Sequence, residues 1–153
     1  MKNIRKPLSI YILFILMAFQ GLSGFVGGYG LIKDPTGGLL KLPLSLLHNS
    51  PFDDYLIPGL ILLIILGYFP LVIAFGLWKQ KYVAWIGSLI TGVSLLIWNG
   101  TQVFFIGYLS EPPLQFLYGI LALLVLSVAL LPSVRGHFKI KRMVDSVPLK
   151  KSV

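Results

Sequence analysis

Four stretches without a single Asp, Glu, Lys, Arg or His divide the chain, at about 8–32, 56–78, 83–109 and 114–131. A helix rises about 1.5 Å per residue and needs roughly 20 apolar residues to cross a hydrocarbon core of about 30 Å. Each run is therefore read as a transmembrane helix. The first slightly exceeds that length, so it should tilt or let its glycine-rich end emerge at the interface.

The connections carry their own signals. Pro7 leads into the first run. The segment 33–55 reads KDPTGGLLKLPLSLLHNSPFDDY, with leucine at 39, 40, 42, 44, 46 and 47. Pro43 can open a short helix lying in the interface. Ser50 reads as an N-cap, with Pro51 at the first helical position and Asp53 and Asp54 in the first turn, where the helix dipole favours acids. Pro58 suggests a break between a lead-in turn and the second span proper. Pro70, mid-span, should kink that helix, because it removes a backbone donor and crowds the preceding turn. Lys79–Gln80–Lys81 and Ser110–Pro113 are tight reversals. Pro132 stops the last run, and 133–153 reads as a polar, mostly basic tail. The two halves share no sequence repeat, so nothing suggests an inverted-repeat transporter.

Composition agrees with a lipid solvent. The chain of 153 residues is 56% hydrophobic and 12% charged, with a mean hydropathy of +0.87. Soluble domains run at roughly 25% charged. A basic start before an apolar run also describes a signal peptide, but this run is too long, lacks an A-x-A site and is followed by further spans. The net charge of +8 does not mark a nucleic-acid binder, because the basic residues sit between and beyond the apolar runs rather than on one amphipathic face. Among the 13 Lys and Arg, only Lys33 and Lys41 fall on one side of the implied membrane. Lys2, Arg5, Lys6, Lys79, Lys81, Arg135, Lys139, Lys141, Arg142, Lys150 and Lys151 fall on the other, together with both termini. Basic loops stay cytoplasmic. Both ends are therefore expected inside the cell and 33–55 outside.

Several chemistries are excluded or unsupported. The chain has no cysteine, which removes disulfides, thiolate nucleophiles and Cys metal sites. Uncharged spans argue against a proton-coupled pump working as a single chain. There is no P-loop, H-E-x-x-H or G-x-S-x-G motif. His48 and His137, expected on opposite sides and either solvated or interfacial, cannot share a metal. No catalytic residue, metal ligand or cofactor is expected.

The residues that invite a role are few. Gly21, Gly24 and Gly28 share a face of span one, and Gly24–Gly28 is a G-x-x-x-G pair; it suits contact within the bundle or between two copies in a homodimer or larger membrane complex. Span three carries a polar stripe of Ser88, Thr91, Ser94 or Leu95, Trp98 and Gln102, with Asn99 beside it. Amides in lipid need partners, and Gln20 in span one is one candidate. The stripe is either an interhelical hydrogen-bond network or an outward pocket, with Trp98 and Tyr108 as walls and Asn99 and Gln102 as orienting groups. The outer acids Asp34, Asp53 and Asp54 suit capping better than paired catalysis, since adjacent residues diverge by about 100° on a helix. Arg135, Lys139, Lys141 and Arg142 form a basic cluster suited to anionic lipid.

DPTGGLLKLPLSLLHNSPFDDYLIPGLILLIILG, from Asp34 to Gly67, resembles a group of small, uncharacterised bacterial four-span membrane proteins. That group carries a DP-x-G…L-P…SPF-x-D…PG pattern after its first span. IWNGTQVFFIGYLSEPPLQFLYGILAL, from Ile97 to Leu123, resembles its W-x-x-x-Q and Q-…-Y-G elements. The resemblance covers most of 8–131, departs in the tail, and implies a four-span architecture in a bacterial cytoplasmic membrane but no activity.

The expectation is an all-α, polytopic four-helix bundle in the inner membrane with N and C termini cytoplasmic. Its leading role is that of a non-enzymatic accessory, assembly or sensing component. The alternative is a binder, carrier or transformer of a small lipophilic molecule in an outward pocket; an oligomeric pore or transporter comes third.

Overall fold

The computed structural model describes residues 6–109 and 113–146. Within them the structure is entirely helical apart from turns and loop. Helix α1 spans Leu8–Lys33. The second apolar run is built of α2 (Leu56–Leu63), a π-helical turn (Ile64–Tyr68) and α3 (Phe69–Trp78). Then come α4 (Tyr82–Ile106), α5 (Leu114–Leu130) and α6 (Pro132–Ser146). Three of these units are long and apolar enough to cross a membrane, and a fourth if α5 and α6, bent by 53°, are taken together.

Prolines shape the second run differently from expectation. Pro58 falls in the first turn of α2, where its missing N–H has no partner to lose, so no break separates a lead-in from the span. Ahead of Pro70 the chain loosens into the π turn, and the run continues as one helical unit to Trp78. A π turn is a common way to absorb such a defect.

α1 lies against α2, the π turn and α3, and α4 lies against α5. Glycines make the first contact close. A Cβ on Gly28 would stand 2.8 Å from the carbonyl oxygen of Gly59, and one on Gly67 would stand 2.7 Å from the backbone nitrogen of Phe25. Gly24 faces the Leu66 carbonyl, and Gly21 faces the Leu71 side chain. The glycine face of α1 thus meets backbone of its own chain. The main core gathers Ile10, Leu13, Met17, Leu66, Leu77 and Val125, among others. A smaller cluster of Leu31, Leu47 and Tyr55 sits under the 34–55 loop.

That loop contains two short 3₁₀ helices, Gly38–Leu40 and Leu44–Leu47; Pro43 opens the second, as expected, but it runs for a single turn. Asp34 organises the first: its carboxylate accepts from the Thr36 hydroxyl at 2.6 Å and the Leu39 N–H at 2.8 Å. These bonds hold its carboxyl below the usual 3.8. Tyr55 closes the loop, donating its hydroxyl to the Pro43 carbonyl at 3.0 Å and its N–H to the Pro35 carbonyl at 2.9 Å. The expected helix start at Pro51 is displaced to Leu56. Ser50 Oγ instead accepts the Phe52 N–H in a local turn. Asp54 precedes the helix and accepts the Leu56 N–H at 2.9 Å, while Asp53 is exposed.

The segment after Pro132, expected as a polar, mostly basic tail, forms α6 as far as Ser146. Proline is well suited to open a helix. One face of α6 buries Val134, His137 and Phe138, and Arg135, Lys139, Lys141 and Arg142 belong to the same helix. Such a basic amphipathic helix suits a membrane surface. It docks on the α3–α4 reversal. There Gln80 adopts a left-handed conformation (φ 56), and the Lys81 and Gln80 N–H groups bond back to the Gly76 and Leu77 carbonyls, a Schellman ending. Gln80 Oε1 accepts from Lys141 Nζ at 3.0 Å and lies 3.4 Å from His137 Nε2. His137, expected to be solvated or interfacial, is buried at 6% exposure between α6 and the reversal.

Candidate functional site

At the end of the bundle that carries the 34–55 loop is a cavity of about 720 Å³. Its walls draw on the C-terminal half of α1, the loop, α2, the second half of α4 and the start of α5. Leu31, Leu42, Phe52, Leu62 and Leu95 give it an apolar surface, and Gln20, Trp98, Asn99 and Gln102 interrupt that surface. Four candidates from α1 and α4 therefore meet in one place. Tyr108 does not join them. Helix α4 ends at Ile106, and Tyr108 lies beyond it, 58% exposed. A positive φ of 73 at Gly107 turns the chain away.

The polar stripe divides into two parts. Ser88 and Thr91, both buried, bond the carbonyls of Trp85 and Gly87 on their own helix. They are locally satisfied and form no bridge between helices. Asn99 does reach another helix: its Nδ2 donates to the Gln115 carbonyl at 2.6 Å. Gly119 makes room for it, since a Cβ there would stand 2.9 Å from Nδ2. Gln102 is half-buried, and its side chain makes no hydrogen bond among the described residues.

Gln20 pairs with neither Asn99 nor Gln102. It is 1% exposed, and its Nε2 donates to the Leu66 carbonyl at 2.9 Å. In a regular helix that carbonyl would bond the N–H of residue 70, which Pro70 lacks. The Gln20 amide on α1 thus repairs the defect in the neighbouring helix. Its Oε1, like the Oδ1 of Asn99, is buried with no hydrogen-bond partner.

Two contributors escaped sequence reasoning. Gln115 is buried, donates to the Gly107 carbonyl at 2.9 Å and accepts the Leu109 N–H at 2.8 Å, bracing the chain between α4 and α5. Its place in the Q-…-Y-G element was the available signal. Lys41, exposed, is the one charged residue of the cavity lining among the described residues. The outer acids Asp34, Asp53 and Asp54 do not line the cavity. No group of three His, Asp or Glu side chains that could hold a metal occurs among the described residues. The arrangement offers shape, apolar surface and amide hydrogen bonds.

No protein-family model, curated protein or solved structure matches the chain.

Proposed function

We propose that this protein is a multi-pass membrane protein that holds a small lipophilic molecule in the cavity between α1, α4 and the 34–55 loop. The observation that carries the reading is the cavity itself, of about 720 Å³. An apolar chamber with a few fixed polar groups is the usual form of a small-molecule site. The accessory or sensing role favoured by sequence is compatible with it, since a sensor also needs a ligand site. The charge asymmetry supports an orientation with both termini inside, so that the cavity opens on the outward side, and the resemblance noted above supports a bacterial cytoplasmic membrane.

The reading is tested by purifying the chain in mild detergent and analysing it by native mass spectrometry. A bound lipophile is expected on the wild type. Ser23→Phe, which places a ring at the cavity wall, should abolish retention without loss of the folded protein. Equal ligand content in both proteins would sink the reading. A reporter fused at Val153 tests topology separately, and should be active only in its cytoplasmic form.

A further inference from the structure

We infer that the occupant of this cavity is an amphiphile whose polar end carries a hydroxyl group: a long-chain alcohol, a phenol or a hydroquinone by class, as opposed to an ester, ether or ketone. The inference rests on the cavity reading above and adds the chemistry of the ligand head.

The argument starts from the orientation of two amides. Gln20 Nε2 stands 2.9 Å from the Leu66 carbonyl, and Asn99 Nδ2 stands 2.6 Å from the Gln115 carbonyl. A carbonyl oxygen only accepts, so each amide must turn its NH₂ toward it; the network fixes which end is nitrogen. Both side chains therefore spend their donors on backbone and leave an oxygen over. Those oxygens, Gln20 Oε1 and Asn99 Oδ1, are buried and without a partner. Both belong to residues of the same cavity wall.

Two unpaired acceptors select a ligand that donates. An ether, ester or ketone head would bring only further acceptors and leave the amide oxygens unmet. A carboxylate would meet them with like charge; its one partner in the lining is Lys41. An ammonium head would lose its hydration with no carboxylate in the lining to replace it. A hydroxyl supplies one donor, enough to meet one of the two oxygens. The Gln102 side chain makes no hydrogen bond among the described residues and can donate to the hydroxyl oxygen in return. Both unpaired oxygens are covered by neighbouring groups, so a small rotation of each amide accompanies binding. That rotation is favoured because an unpaired buried carbonyl is costly to keep.

The test is a native mass spectrometry titration of the full chain with dodecanol, its methyl ether and dodecanoate. The ether keeps chain and oxygen but loses the donor. Dodecanol should bind roughly tenfold or more tightly than the ether. Asn99→Leu, which removes one of the two acceptors, should narrow the gap, whereas Gln102→Leu should weaken alcohol and ether alike, because both keep the oxygen to which Gln102 donates. Equal binding of alcohol and ether, with both lost in Ser23→Phe, would overturn the hydroxyl inference while the cavity reading stands. Tightest binding of dodecanoate would do the same. A gap unchanged in both Gln20→Leu and Asn99→Leu would overturn the placement of the head group. Binding of none of the three would overturn both readings.

Discussion

The side-chain amide of Gln20 donates to the carbonyl of Leu66 at 2.9 Å, where Pro70 leaves the helix without a donor. A polar residue inside one apolar helix and a proline inside the next are each unfavourable alone. Together they satisfy one another. The same pattern recurs where α5 ends before Pro132: the buried Trp85 indole donates to the Ala129 carbonyl at 2.8 Å, one of the terminal carbonyls that a helix leaves unpaired.

Gln20→Leu should therefore destabilise the protein by about 1–3 kcal/mol, the usual penalty for a stranded buried polar group. Pro70→Ala restores a backbone donor for Leu66, so the same Gln20 substitution should cost less in that background. Thermal unfolding of the four proteins in detergent gives the coupling. Strict additivity would show that the two residues act separately.

Gly24 and Gly28 should tolerate no side chain. A Cβ at Gly28 would come within 2.5 Å of the Leu63 backbone nitrogen, and one at Gly24 would strike the Leu66 carbonyl. Backbone cannot move aside as a side chain can. Gly28→Ala should sharply reduce the yield of monodisperse protein on size exclusion. Gly100→Ala is the control, because nothing lies within 4 Å of a Cβ there, and it should leave the yield unchanged.

Gln80 holds a left-handed conformation that glycine adopts freely and other L-residues adopt at about 1–2 kcal/mol. Gln80→Gly should relieve that strain within the reversal while removing the acceptor for Lys141. The expected outcome is looser docking of α6, read as faster tryptic cleavage at Arg135 and Lys139. Unchanged cleavage would show that Val134 and Phe138 alone hold the helix.

A pH dependence follows from His137. Burial, then the charges of Lys141 and Lys6, hold its imidazole below the ordinary 6.5. The unfolded chain therefore takes up the proton first as pH falls. The contribution to stability is full above about pH 6.5 and is lost as pH falls through the lowered folded value. Unfolding temperatures between about pH 8 and pH 5 should fall toward acid, and His137→Gln should flatten the profile in that range.

Much of the architecture was legible because lipid imposes a simple rule: the apolar runs end where charge begins, and the helices end within a few residues of those points. What sequence could not supply was partnership. Pro70 was visible as a defect, but only packing brings Gln20 to its carbonyl. Asn99 was visible as a costly amide, but its partner is a backbone atom of Gln115, to which side-chain pattern is blind. The Asp53–Asp54 pair and Ser50-Pro51 mimic a helix start, yet Tyr55 is drawn into the loop by bonds to Pro35 and Pro43, which delays the helix to Leu56. Basic composition concealed α6, whose apolar positions are spaced to cover the base of the bundle.

In the membrane placement proposed above, with α5 crossing the bilayer by itself, the unequal helices have a consequence for the surrounding lipid. The 26 residues of α1 extend about 39 Å, while the 17 of α5 extend about 25 Å before the turn at Pro132. A membrane of even depth cannot match both. Lipids beside α5 must compress and those beside α1 must stretch unless α1 leans, at a modest cost per ångström of mismatch. The protein would thus act as a local wedge in membrane thickness, with shorter or more disordered acyl chains collecting on its α5 side.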